Sequence, residues 1–206
     1  MVTVPWLAEF PGLSLPALIF LILTGLSLLI SRDWRWSVGA LALQYVGVFI
    51  LVQYAWPLEI SAVKLVAGWM AGAILGMAAS NSPATWQVEE QSIPPSRIFR
   101  LLGAGLVGLA VGSLAAPLQS WLPQDVPLGL VLSSLVLLGL GLLNLGLTSQ
   151  PLRAVIGLLT ALAGFEILYA AVETSILVAG LLAGVNIGLA LVAAYLLLAS
   201  GMEREI

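Results

Sequence analysis

Seven predominantly apolar stretches follow one another along the chain, at roughly 14–31, 37–55, 58–80, 98–120, 126–148, 153–172 and 174–200. A helix needs about 20 mainly apolar residues to cross about 30 Å of hydrocarbon, so each stretch predicts a transmembrane helix. The joints are polar or turn-forming: Arg32-Asp33, Trp56-Pro57, the 81–97 stretch, Pro123-Gln124-Asp125, Ser149-Gln150-Pro151 and Glu173-Thr174. Glycines inside the spans (Gly103, Gly105, Gly108 and Gly112; Gly139 and Gly141) predict close helix packing, since small residues let backbones approach in lipid. The start of the chain has no basic segment and its first span no small-residue cleavage site. The first helix is therefore expected to be retained rather than removed as a signal peptide.

Composition sharpens this picture. Of 206 residues, 61% are hydrophobic and 8% charged, with mean hydropathy +1.11, against about 25% charged in soluble domains. Cysteine and histidine are both absent, which excludes disulfides, thiolate or imidazole metal ligands and His- or Cys-based catalysis. No metal, cofactor or catalytic residue is expected. A net charge of −3 argues against nucleic acid as a partner.

With seven spans, Arg32, Arg35, Arg97, Arg100, Arg153 and Arg204 all fall on one side of the membrane, while Glu9, Glu59, Asp125 and Glu173 fall on the other. The positive-inside rule then sets the N-terminus outside and the C-terminus in the cytoplasm, in a cell (inner) membrane. Trp34, Trp36, Trp56, Trp86 and Trp121 stand at span ends and read as interfacial anchors.

An internal repeat is written in the second and sixth spans. Arg35-Trp36-Ser37-Val38-Gly39-Ala40-Leu41 recurs as Arg153-Ala154-Val155-Ile156-Gly157-Leu158-Leu159, each copy opening a helix with one span before it and another after. The expected architecture is thus an all-α integral membrane protein of about seven helices, in two parallel three-helix repeats. The first repeat occupies 1–80 and the second 121–206. Between them lie a polar cytoplasmic segment, 81–97, read as a linker or a partner's contact surface, and a connecting transmembrane helix, 98–120.

Two ionisable residues fall inside spans, where a charge at the bilayer centre costs at least about 2.5–3.5 kcal/mol. Lys64 lies about 9 Å from the outer end of the third span and Glu166 about 10 Å from that of the sixth, at 1.5 Å per residue. Their shared depth permits an ion pair, which would offset desolvation and keep both charged. Alternatively, each snorkels to the outer interface, Lys64 beside Glu59. Intramembrane charges are ion-coupling candidates by default. Gln44, Asn144 and Asn186 would line a hydrated path to them, or simply hydrogen-bond across helices at about 0.6 kcal/mol each.

The triplets resemble the three-helix K subunit of respiratory complex I, also found as the C subunit of Mrp-type antiporters. They resemble still more its longer relative, the E-type component of membrane-bound hydrogenase and formate hydrogenlyase complexes. The residues carrying the resemblance are Leu23-Thr24-Gly25-Leu26, Ser31-Arg32, Arg35-x-x-Val38-Gly39 and Lys64-Leu65-Val66-Ala67-Gly68 in the first half. In the second they are Ser149-Gln150-Pro151-Leu152-Arg153 through Gly157, and Gly184-Val185-Asn186-Ile187-Gly188-Leu189-Ala190-Leu191. The second-helix glutamate of the K subunit falls on Leu41 and Leu159, and its third-helix glutamate on Lys64 and Gly184, so its proton path does not carry over. The lysine is like the hydrogenase-type component. Glu166 has no counterpart in the motif.

What the resemblance implies is a non-catalytic membrane-arm subunit of a complex-I-like or group-four hydrogenase-like assembly. Such a subunit associates with other membrane subunits and cytoplasmic redox subunits, helps couple electron transfer to ion (proton) translocation, and holds no redox centre. The alternatives are a small stand-alone multi-pass transporter working through Lys64 and Glu166, and a structural scaffold subunit.

Overall fold

A computed structural model of the chain describes residues 14–31, 33–81, 97–123, 126–173 and 175–202. Glu9, Arg32, Trp86, Asp125, Arg204 and the 82–96 part of the expected polar loop lie outside the described residues. Among those described there are seven helices and no strand: α1 (Ser14–Ile30), α2 (Trp34–Val52), α3 (Leu58–Asn81), α4 (Arg97–Gln119), α5 (Leu128–Gly146), α6 (Pro151–Ala170) and α7 (Ile176–Met202). Six of them, α2 to α7, are long and apolar enough to cross a membrane. The 17 residues of α1 stand at the short end of the spanning range of about 17–25.

Local chemistry sets the boundaries. Asp33 caps α2 by accepting the Arg35 backbone N–H at 3.0 Å, which satisfies one of the donors left over at a helix start. Pro151 opens α6, where its missing N–H costs nothing. The second span was expected to run to 55, but α2 ends at Val52 and residues 53–55 form a turn ahead of Pro57, since a proline disfavours helix in the residue before it.

The tightest packing is between α5 and α6, followed by α3 against α7. The remaining contacts join α1 to α2, α2 to α3, α6 to α7, α1 to α5 and α2 to α6, while α4 rests on α5 and lightly on α1. Gln44 and Thr160 bond midway along α2 and α6, and Trp56, just past the end of α2, is bonded to Glu173, just past the end of α6, so these two helices run parallel and Arg35 and Arg153 share one end. At that end Arg100 of α4 donates to the Leu29 carbonyl of α1 at 2.9 Å, a cation on carbonyls that a helix C-terminus leaves unpaired.

The exterior is apolar: Leu102, Leu106, Leu109, Leu177, Leu181 and Val192 are all exposed. The interior holds Gln44, Ser61, Lys64, Asn144, Thr160, Glu166 and Asn186. An apolar coat of this extent around a polar core belongs in lipid, because a soluble protein rarely tolerates large exposed apolar patches.

The glycines divide in two. A side chain at Gly164 would strike the α5 backbone, 2.5 Å from the Leu138 nitrogen and Ser134 carbonyl. Gly141 likewise faces the α6 backbone, and Gly139 faces Val107. Gly105, Gly108 and Gly112 of α4 meet nothing within 4 Å, so the expectation that they form packing faces fails within this chain. Gly164→Ala is expected to lower stability by about 1–3 kcal/mol through overpacking. Gly108→Ala is expected to be neutral or stabilising, by up to about 1 kcal/mol of helix propensity. Thermal unfolding of the detergent-purified protein reads both.

Candidate functional site

α3 carries Lys64 inward near its start and α6 carries Glu166 inward near its end, and because these ends coincide the two side chains meet. The Lys64 ammonium donates to Glu166 Oε1 at 2.7 Å, and both side chains are fully buried. The choice left open by the sequence falls to the pair, and neither residue snorkels. Outside water such a pair persists only where further hydrogen bonds complete it. One comes from α7: Asn186 Nδ2 donates to the same Glu166 oxygen at 3.1 Å. The Asn186 carbonyl oxygen in turn accepts the Tyr45 hydroxyl of α2 at 3.3 Å. Four helices therefore each contribute one residue, α2 and α3 from the first half of the chain and α6 and α7 from the second. Glu166 Oε2 is buried and has no protein partner.

On the side toward the arginine-bearing end, Thr160 donates to Gln44 Oε1 at 3.2 Å, and the Gln44 amide nitrogen is buried without a partner. Farther along, Asn144 packs on Gly157, its Oδ1 buried and unpartnered. Of the three amides singled out from the sequence, Asn186 is thus in the charged cluster, Gln44 lies beside it, and Asn144 stands apart near the opposite end of the core. Gly184, which the resemblance sets beside Lys64, is exposed with nothing near it. Leu41 and Leu159 are fully buried among apolar residues.

Trp56 corrects another expectation. Trp36 and Trp121 are 72% and 88% exposed, as interfacial anchors should be, but Trp56 is 2% exposed. Its indole N–H donates to the Glu173 carbonyl at 2.8 Å, joining the α2–α3 turn to the α6–α7 turn. Its ring stands 6.0 Å from the Lys64 ammonium, within range of a cation–π attraction. Below it, the Ser61 hydroxyl is spent on the Pro57 carbonyl at 3.1 Å.

Sequence reasoning missed Tyr45, Thr160 and Trp56. The available signal was weak: Tyr45 adjoins Gln44, and Thr160 lies six residues before Glu166 on the same helix, about 120° around it. Gly68 belongs to the site for a different reason, because a side chain there would collide with the Tyr45 ring.

Together these features define a multi-pass helical membrane protein with, among the described residues, one buried, hydrogen-bonded charge pair joining α3 to α6. No protein family, curated protein or solved structure matches the chain.

Proposed function

We propose that this chain is a membrane-arm subunit of a complex-I-like or group-four hydrogenase-like assembly, in which Lys64 and Glu166 couple redox chemistry on partner subunits to ion, most simply proton, movement. The observation carrying this reading is the fully buried Lys64–Glu166 pair, completed by Asn186 and Tyr45. Keeping two charges out of water is costly, and a site of four residues from four helices is more than anchoring requires. The chain contributes ionisable groups and no redox ligand.

The reading includes two parallel three-helix repeats, α1–α3 and α5–α7, linked by α4, with the N-terminus outside. The packing supports the duplication, since α1 meets α5, α2 meets α6 and α3 meets α7. Register supports it too. The shift of 118 residues that carries Arg35 onto Arg153 also carries buried Ser61, Gly68, Gly72, Leu75 and Ala79 of α3 onto Ala179, Asn186, Ala190, Ala193 and Leu197, all buried in α7. Under that shift Lys64 corresponds to Leu182, two residues before the Gly184 on which the resemblance places it, and Glu166 to Val48. The charge pair therefore has no symmetry mate, and there is one site rather than two. Sites at the interface between repeats are the rule in transporters built this way.

Extraction in mild detergent tests the assembly. Iron–sulfur, nickel–iron or antiporter-like subunits are expected to travel with the chain. Migration alone, or as a homo-oligomer, would sink this reading in favour of a stand-alone transporter. One observation favours that second reading: the site is complete within a single chain.

A further inference from the structure

We infer that Glu166 is reached by water from the arginine-bearing end only, past the Gln44–Thr160 pair and Asn144, and that Trp56 seals it from the other end. This inference rests on the reading of Glu166 as the ion-coupling group, but it concerns access and is tested separately.

The two sides of Glu166 differ in what they leave unsatisfied. Glu166 Oε2 is itself buried with no protein partner, and toward the arginine-bearing end so are the Gln44 amide nitrogen and Asn144 Oδ1. These atoms lie at successive depths and wind around α6, since at 3.6 residues per turn Thr160 and Gly157 stand about 120° and 180° around the helix from Glu166. Thr160, bonded to Gln44, lies six residues or about 9 Å from Glu166 along α6, and Gly157, against which Asn144 packs, one turn or about 4.5 Å farther at 1.5 Å per residue. Asn144 is two residues from the end of α5. Buried polar groups that the protein leaves unpaired are ordinarily satisfied by internal water, which needs a polar lining with several partners. Donor and acceptor atoms at these three depths, from near the helix ends to the carboxylate, supply polar partners for such water. Amides cannot relay protons through their own bonds readily, so the waters between them do the carrying.

Toward the other end the groups are closed off. The Ser61 hydroxyl is committed to backbone carbonyls, and above it the Trp56 ring covers Lys64, latched to the opposite half of the chain by its bond to Glu173. Tyr54, whose hydroxyl is also unpartnered, belongs to the turn at that end of the bundle and not to the helical core.

The chain has no cysteine, so single thiols report access without background. Thr160→Cys and Ser61→Cys are nearly isosteric and stand on opposite sides of Glu166. In sealed membrane vesicles of known orientation, silver ion, close to water in size and unable to cross the bilayer, is added to one side or the other. Protection of the thiol from later maleimide tagging is then read on the purified chain. Since the reactive species is the hydrated thiolate, Thr160→Cys is expected to react at least about tenfold faster from the arginine-bearing side than from the other. Ser61→Cys is expected to resist silver from the other side until Trp56→Ala is added, which raises its reactivity there at least about tenfold by opening it to water. Trp56→Phe, which keeps a ring and loses the Glu173 bond, serves should the alanine variant not accumulate, with a smaller rise in the same direction. Equal reactivity of Thr160→Cys from both sides, no reaction from the arginine-bearing side, or modification of Ser61→Cys from the other side with Trp56 intact would each overturn the inference. None of these outcomes depends on ion coupling. Loss of the coupling reading therefore leaves the access result standing, and the reverse also holds.

Discussion

Lys64→Ala is expected to destabilise the protein by about 3–5 kcal/mol, the usual consequence of removing one member of a buried ion pair. Glu166 would keep only the Asn186 hydrogen bond for a carboxylate with no exposure. Glu166→Gln is expected to act in the same direction, by stranding the ammonium. The pair Lys64→Met with Glu166→Leu separates structure from function, because replacing both partners by apolar residues of similar size is often neutral or stabilising. That double variant should recover most of the stability lost by Lys64→Ala, whereas ion coupling should be absent from all three. Detergent unfolding of the three variants, with proton uptake into reconstituted vesicles, measures both. If the double variant still coupled ions, the charge pair would be structural only and the scaffold reading would take its place.

Gly68→Val is expected to disable the site without touching a polar residue. A side chain at this position would overlap the Tyr45 ring, and the ring cannot yield without withdrawing its hydroxyl from Asn186. Overpacking costs about 1–3 kcal/mol, and the lost hydrogen bond adds about 0.5–1.5 kcal/mol. Gly72→Ala, one turn along the same helix, meets only Val38 at 4.0 Å and should unfold at or slightly above the temperature of the unsubstituted protein. Comparing the two melting curves, with coupling measured in parallel, checks the claim. A Gly68→Val protein as stable and active as Gly72→Ala would mean that Tyr45 does not position Asn186.

The depth of the two intramembrane charges was legible in the sequence, because helical rise converts residue number directly into distance from a span end. Their pairing was not, since Lys64 and Glu166 are 102 residues apart and equal depth on separate helices says nothing about which faces meet. Trp56 shows the same limit. A tryptophan at a span end has the same local sequence whether it points outward, as Trp121 does, or folds inward over a lysine, as Trp56 does. Glycine stripes were equally ambiguous: Gly141 and Gly164 are clamped against a neighbouring backbone while Gly105, Gly108 and Gly112 face outward.

By itself, the sequence determined that this chain is built of membrane-spanning helices, where they start and stop to within a few residues, and that Arg35, Arg97, Arg100 and Arg153 gather at one end. Those properties follow from composition, spacing and turn chemistry within about 20 residues, the length lipid demands of a span. Only the tertiary structure decided which helices became neighbours, and so which polar atoms found partners. Each span here is mostly apolar on every side, with only one or a few polar positions, and such a pattern encodes a helix's orientation weakly. It is the packing of small residues, and the cost of leaving a lysine or a glutamate alone in the core, that turns each helix to one side.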